Sequence, residues 1–259
     1  MPGAFVLHLD TQRPPALIKL RGWLYHALTP SFPELHGEPG PKPFALASAE
    51  DESGVWVRLS FLKDSLVEEA ARILWNHLNR PLPLPPRNPR VLAIYEHAHP
   101  WSGKESWTKL MAAPPSADLP LEFLTPTFFR RKEANYPIPA PGLILSSLIR
   151  DWNAFAPEPV PPEVAERIAE YTTARYLNIR TLSATAHSRT VGFVGRVTLH
   201  LPKAAEEEAR WLSRLGELAF FSGVGAKTTL GFGLTRRYVP HEGANPDRGA
   251  NRRPPNSQP

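Results

Sequence analysis

The sequence predicts an α+β fold: two tandem ferredoxin-like β-α-β-β-α-β domains, an order also used by RNA-recognition domains, with a glycine-rich loop near the C-terminus. Three observations carry this. Strand-like and helix-like apolar stretches follow one another in that order twice, the second time more loosely. A proline-bearing stretch, 113–119, separates the two runs. The 259 residues, 42% of them hydrophobic, suffice for two domains of roughly 100–130 residues and exclude a disordered chain. The repeat is one of element order, not of residues.

The first unit opens with a short apolar strand over 4–10. Pro14 and Pro15 then introduce a helix whose Leu17, Leu20, Leu24 and Leu28 recur at helical spacing. Residues 29–43, with five prolines and two glycines, form a long loop. Residues 44–47 and 55–61 read as a strand pair around a turn at 50–54. A second helix covers 62–78, with Leu66, Ala70, Ile73, Leu74 and His77 on one side. Residues 81–89 are a stiff proline connector, and 90–97 and 106–112 read as closing strands. The second unit begins with a strand over 121–129. Helices follow over 142–155 and 162–174, then a strand pair, 176–186 and 191–201, around His187, Ser188 and Arg189. A helix over 204–221 starts with Glu206, Glu207 and Glu208, which suit its positive end. Residues 230–239 are the last strand. The domains are expected over 1–113 and 119–239, with a disordered polar tail at 240–259 carrying Arg248, Arg252 and Arg253.

The net charge of +5 permits a polyanionic partner without requiring one. Zero cysteines exclude disulfides, thiolate zinc, iron–sulfur clusters and cysteine nucleophiles. The N-terminal residues lack a basic segment followed by a long apolar one. The best apolar run, 142–149, falls far short of the ~20 residues of a membrane span. A soluble, cytoplasmic protein with no membrane attachment is expected.

Residues 223–233, Gly-Val-Gly-Ala-Lys-Thr-Thr-Leu-Gly-Phe-Gly, suggest a phosphate cradle. A Walker A loop would need glycine at Ala226 and Phe221, and a helix after the loop rather than before it. A dinucleotide fingerprint would need its third glycine at Thr228. Both are excluded. Two readings remain: a loop whose exposed backbone amides and Lys227 clamp a sugar–phosphate backbone, or a glycine-rich helix cap before a bulged strand.

Gly223, Gly225, Lys227, Thr228, Gly231 and Gly233 give a paired Gly-hydrophobic-Gly pattern that resembles the glycine-rich loop of the RAMP superfamily of CRISPR-associated proteins. Residues 124–129 resemble the strand that opens the second domain there. Leu35-His36-Gly37, with Lys42, Pro43 and Phe44 after it, resembles the catalytic loop of the repeat-processing endoribonucleases of that superfamily. The likeness spans most of the chain. It implies two ferredoxin-like domains and metal-independent cleavage of precursor CRISPR RNA within its repeats. The partners implied are precursor and mature CRISPR RNA; a homodimer and hand-over to an effector complex are further options, as is a non-catalytic RNA-binding subunit that shares the fold.

Metal-free RNA cleavage uses the 2′-hydroxyl as internal nucleophile. It needs a proton acceptor, an acid for the leaving 5′-oxygen and a cation for the phosphorane. His36 can serve either proton role and Lys42 the last; otherwise His36 is an ordinary exposed loop histidine. On a helical wheel His26 falls about 180° from Leu17, away from the core, whereas Tyr25 lies at about 80°, a boundary position. Family members often pair the loop histidine with a tyrosine from this helix, so Tyr25 and His26 compete for one role. The balance tips to His26. Arg130, Arg131 and Lys132 suit a phosphate backbone or are a solvated strand end, and Arg21 is a weaker candidate of the same kind. His97 and His99 lack a third metal ligand, and the carboxylates form no two-metal constellation. No cofactor is expected.

Overall fold

The computed structural model describes residues 1–37, 39–185 and 189–239. In chain order the elements are β1 (Gly3–Leu9), α1 (Leu17–Leu28), β2 (Phe44–Asp51), β3 (Gly54–Phe61), α2 (Asp64–Trp75), β4 (Val91–Tyr95), β5 (Gly103–Lys104) and α3 (Trp107–Met111). Then come β6 (Asp118–Thr127), β7 (Phe129–Arg131), β8 (Ala134–Tyr136), α4 (Pro141–Phe155), α5 (Pro162–Tyr171), β9 (Thr173–Thr185), β10 (Arg189–His200), α6 (Glu206–Ser222) and β11 (Thr235–Arg237). The first sheet runs β2-β3-β1-β4 and the second β11-β6-β10-β9, antiparallel throughout. In both, the first and third strands of the unit are central and the second and fourth lie at the edges. This is the ferredoxin-like order, built twice.

Strand β1 is buried along its whole length, and the period of two divides its side chains between two cores. Phe5, Leu7 and Leu9 meet Leu20, Leu24 and Leu28 of α1 and Leu66 and Leu74 of α2. Val6 points the other way, to Ala47, Trp56, Trp101 and Leu234. Leu234 comes from the far end of the chain, so the second face of the first sheet is covered by the second unit. Each such leucine or phenylalanine contributes about 1.5–3 kcal/mol relative to exposure. The second core gathers Leu121 and Phe123 of β6, Phe193 and Val197 of β10, Ile144, Leu148 and Trp152 of α4, and Trp211 and Leu215 of α6.

A buried arginine locks the halves together. Arg58 of β3 is 1% exposed and donates to the Trp101 carbonyl at 2.7 Å, to Ser60 Oγ at 3.0 Å and to the Phe220 carbonyl. Ser60 Oγ donates to the Phe221 carbonyl at 2.6 Å. Both carbonyls lie in the last turn of α6, where the helix dipole favours a cation. Burial lowers the Arg58 guanidinium to about 9.

Several expected elements are corrected. Residues 106–112 do not form a strand: Ser106 caps α3 by accepting from the Lys109 amide at 3.1 Å, and Trp107 and Met111, four apart, pack on the second core. Five residues are too few to separate a period of 2 from one of 3.6. The strand expected over 121–129 ends at Thr127, and Arg130 and Arg131 belong to a β7–β8 hairpin. The final strand covers only Thr235–Arg237, because residues 228–230 form a 3-10 turn. His187 and Ser188 of the expected turn, and the tail 240–259, lie outside the described residues. No helix among the described residues is long and apolar enough to cross a membrane.

Candidate functional site

The loop between α1 and β2 is held at its two ends and open at His36 and Gly37: Ser31 Oγ donates to Glu69 Oε1 of α2 at 2.9 Å, and Pro43 is buried. Pro33–Leu35 forms a 3-10 turn, Leu35 buries itself in the first core, and Phe32 packs beside it. The next residue, His36, is exposed. Its ring stands edge-on to Tyr25, with centroids 4.8 Å apart, and Tyr25 meets Phe44 of β2 at 5.4 Å. Lys42 Nζ donates to the carbonyls of Leu35 and His36, each at 3.3 Å, and so draws the loop back on itself. Arg21, one turn before Tyr25 on α1, places its guanidinium carbon 5.3 Å from the Tyr25 ring centroid.

One wheel-based expectation is corrected here. Tyr25 is not a boundary residue but is 8% exposed, because Phe44 and the His36 loop cover the ring. Among the described residues its Oη is buried without a hydrogen-bond partner, as is Arg21 Nε. His26 is exposed, as the wheel requires, yet among the described residues no contact joins it to His36. Tyr25, not His26, is the α1 residue brought to the loop histidine.

The glycine-rich segment lies on the other side of the same seam. Its amides are largely donated inside the protein: Val224 to the Gly233 carbonyl (2.9 Å), Gly225 to Ser147 Oγ (2.9 Å), Ala226 to the Phe128 carbonyl (2.9 Å) and Gly233 to the Pro126 carbonyl (3.2 Å). Gly223, Gly225, Gly231 and Gly233 all have positive φ and are buried. A Cβ on Gly231 would stand 1.9 Å from Leu17 Cδ1 of α1, and one on Gly233 would stand 2.0 Å from the Val224 carbonyl oxygen. The four glycines therefore let α1 and the second sheet close on the loop. They do not display the amides expected of a phosphate clamp. Only Lys227, Thr228 and Thr229 have amides without a partner among the described residues. Lys227 sits in the left-handed region at φ 59°, with Nζ 5.9 Å from the centroid of Phe128.

Between the two loops is an open cleft of about 350 Å³. One wall is Gly40, Pro41 and Lys42; the other is 225–229; α4 contributes Arg150 and Asp151. Asp151 is 6% exposed, and Arg150 holds its Oδ1 from Nε at 2.9 Å and Nη2 at 2.8 Å. Burial pushes the Asp151 carboxyl up to about 6, against the opposing pull of Arg150. These two residues and Ser147 escaped the sequence reading. The available signal was a carboxylate four residues after Ser147 and three after Leu148, on the buried face of α4.

The remaining candidates are dispersed. Arg130 and Arg131 are exposed on the β7–β8 hairpin and do not line the cleft. Arg236 and Arg237 lie in β11 and pair with Glu122 and Glu217 at 2.7 Å each. His99 packs against His8, Trp56 and Tyr95, and burial lowers its pKa. Among the described residues no group of three or more His, Asp or Glu is placed to hold a metal ion.

The family model for the CRISPR-associated endoribonuclease Cas6 matches residues 121–235. Among solved structures, the Cas6 (TTHA0078) product complex has a TM-score of 0.87 and 45% sequence identity, over 92% of this chain and 99% of that one. The substrate mimic complex of the same protein gives 0.83 and 44%, with the same coverage. Thermus thermophilus Cas6 (TTHB231) gives 0.74 and 32%, over 92% of this chain and 98% of that one. No curated protein sequence matches.

Proposed function

The chain belongs to the CRISPR-associated endoribonuclease Cas6 family, and from that premise we propose that it cleaves precursor CRISPR RNA within the repeats. The RNA supplies its own 2′-hydroxyl as nucleophile, no metal takes part, and the products carry a 2′,3′-cyclic phosphate and a 5′-hydroxyl. The observation that carries this reading is His36, exposed at the seam of the two units, braced by the Tyr25 ring and set next to Lys42. An imidazole can accept or donate a proton near neutral pH, and an ammonium group favours the dianionic phosphorane. Tyr25, whose hydroxyl is buried, orients the imidazole and transfers no proton.

The RNA backbone lies along the cleft, where Lys227 and Thr228 face Lys42. It continues toward Arg130 and Arg131 on the exposed hairpin, while Arg21 steadies Tyr25 from the α1 side. Binding of RNA product and substrate by this chain is inferred from a neighbour solved as product and substrate mimic complexes. The division of the chain is 1–113 and 119–239, supported by sheets that never mix β1–β5 with β6–β11 and qualified by α3, which packs on the second core.

The test is incubation of the protein with CRISPR repeat RNA in EDTA. Cleavage is expected to proceed, to leave the cyclic phosphate and 5′-hydroxyl ends, and to stop when the nucleotide upstream of the cut is 2′-deoxy. Cleavage that needs a divalent cation, or that ignores the 2′-deoxy substitution, removes the proposed mechanism.

A further inference from the structure

We propose that Arg150 contacts an RNA phosphate in the interdomain cleft and that Asp151 is the positioning residue that aims it; this rests on the cleft being the RNA site. Arg150 and Asp151 are neighbours near the end of α4, and both line the cleft that Lys42 and Lys227 border from other elements. Three cations thus approach one space from three directions. Thr228 and Thr229 add hydroxyls there. A cleft of this composition fits a polyanion, and an arginine fork matches the geometry of phosphate oxygens better than a lysine does.

Asp151 is what distinguishes this arginine from a surface one. A carboxylate with 6% exposure is costly unless it is hydrogen-bonded. Its partner is Arg150, which places two donors on the single oxygen Oδ1. The Arg150 side chain is 53% exposed, and its remaining N–H groups form no hydrogen bond among the described residues. One edge of the guanidinium is therefore fixed to a buried anchor and the other is free. The same helix face carries Ser147, whose hydroxyl accepts from the Gly225 amide. Helix α4 thus sets the glycine-rich loop and the arginine in one frame. Salt-bridge energy alone does not account for the arrangement, because burying a carboxylate opposes the gain from its partner.

A repeat RNA that the wild-type protein cuts, made resistant by a 2′-deoxy nucleotide at the cut, is titrated at several salt concentrations. Arg150→Ala is expected to weaken affinity about tenfold and to reduce the log–log salt slope by roughly 0.7–0.9. Asp151→Leu, which removes the anchor, is expected to lose as much, and the double variant no more than either alone. Asp151→Asn keeps an acceptor for Arg150 and is expected to bind nearly as wild type, a rescue that a purely structural role does not produce. Asp151→Ala replaces Asp151→Leu if the latter does not fold. Unchanged affinity and slope in Arg150→Ala overturn the proposal while wild-type cleavage leaves the functional reading intact. Losses that multiply in the double variant overturn the positioning role. A wild-type protein that neither binds nor cuts repeat RNA overturns both.

Discussion

Two loops border the cleft, and they are held in opposite ways. Among its described residues, the loop of 29–43 rests on buried Leu35 and Pro43, a Ser31–Glu69 hydrogen bond, an edge-on contact between His36 and Tyr25, and a lysine bridging two carbonyls; His36 itself stands in solvent. In the 223–233 loop most amides are donated internally, and four glycines with positive φ are packed against neighbouring backbone or Leu17. The difference separates two kinds of work. Side-chain chemistry needs a group open to solvent, which the first loop provides in His36. A fixed seam between two domains needs backbone with no freedom left, which the second provides. The glycines that most resemble a phosphate cradle in sequence are architecture.

The largest expected effect comes from testing that division on the glycines themselves. Gly233→Ala places a Cβ 2.0 Å from the Val224 carbonyl oxygen at φ +74° and is expected to cost about 3 kcal/mol or more. Gly37→Ala, in the histidine loop, meets nothing within 4 Å and is expected to stay within about 0.5 kcal/mol of wild type. Chemical denaturation of the two variants reads this directly. Equal losses would mean that the loops are held alike.

Next in size is the pH dependence of Asp151, which sits at the seam of the two loops. Its folded pKa, about 6, lies above the ordinary aspartate value of 3.8, so folding takes up a proton between those values. Its contribution to stability is therefore full below about pH 4 and lost as pH rises through about 6. Asp151→Asn should remove that decline and narrow the stability difference between pH 4.5 and pH 7 by about 2 kcal/mol. Identical pH profiles for the two proteins would show that the carboxyl is solvated.

The smallest effects concern α1. Tyr25 Oη is buried and has no partner among the described residues, so Tyr25→Phe should fold at least as well as wild type and cleave repeat RNA within about threefold of its rate. His26→Ala should be indistinguishable from wild type in single turnover. A large loss with Tyr25→Phe would give the hydroxyl a proton-transfer role. A large loss with His26→Ala would restore the pairing favoured by the wheel.

Much of this architecture is legible in the residues. The leucine stripe of α1, the apolar run of β1 and the glutamates opening α6 mark elements whose identity follows from spacing alone. Element order then leads to the doubled ferredoxin-like fold. The misreadings occur where tertiary contact overrides pattern. Helix α3 is too short for its period to show, and its Trp107 is claimed by Trp152 of α4, 5.6 Å between centroids. The wheel places Tyr25 correctly about the helix axis but has no knowledge of Phe44 or of the loop that covers the ring. Asp151 gives no local signal, because the residues that share the cleft with it, 225–229, come more than seventy positions later in the chain. His36 and Lys42 could be nominated from the loop that resembles the family pattern. The cleft that unites them with Arg150 and Lys227 exists only once both domains are folded.

The central claim is that the open histidine loop carries the chemistry and the glycine loop does not. Its most direct test is the single-turnover rate of repeat-RNA cleavage by His36→Ala in EDTA, with RNA affinity measured in parallel. A positioned proton-transfer group is worth about 10²–10⁴-fold, so the rate should fall by that factor while affinity stays within about twofold. Cleavage at the wild-type rate would contradict the account and leave the chain as an RNA-binding member of its family.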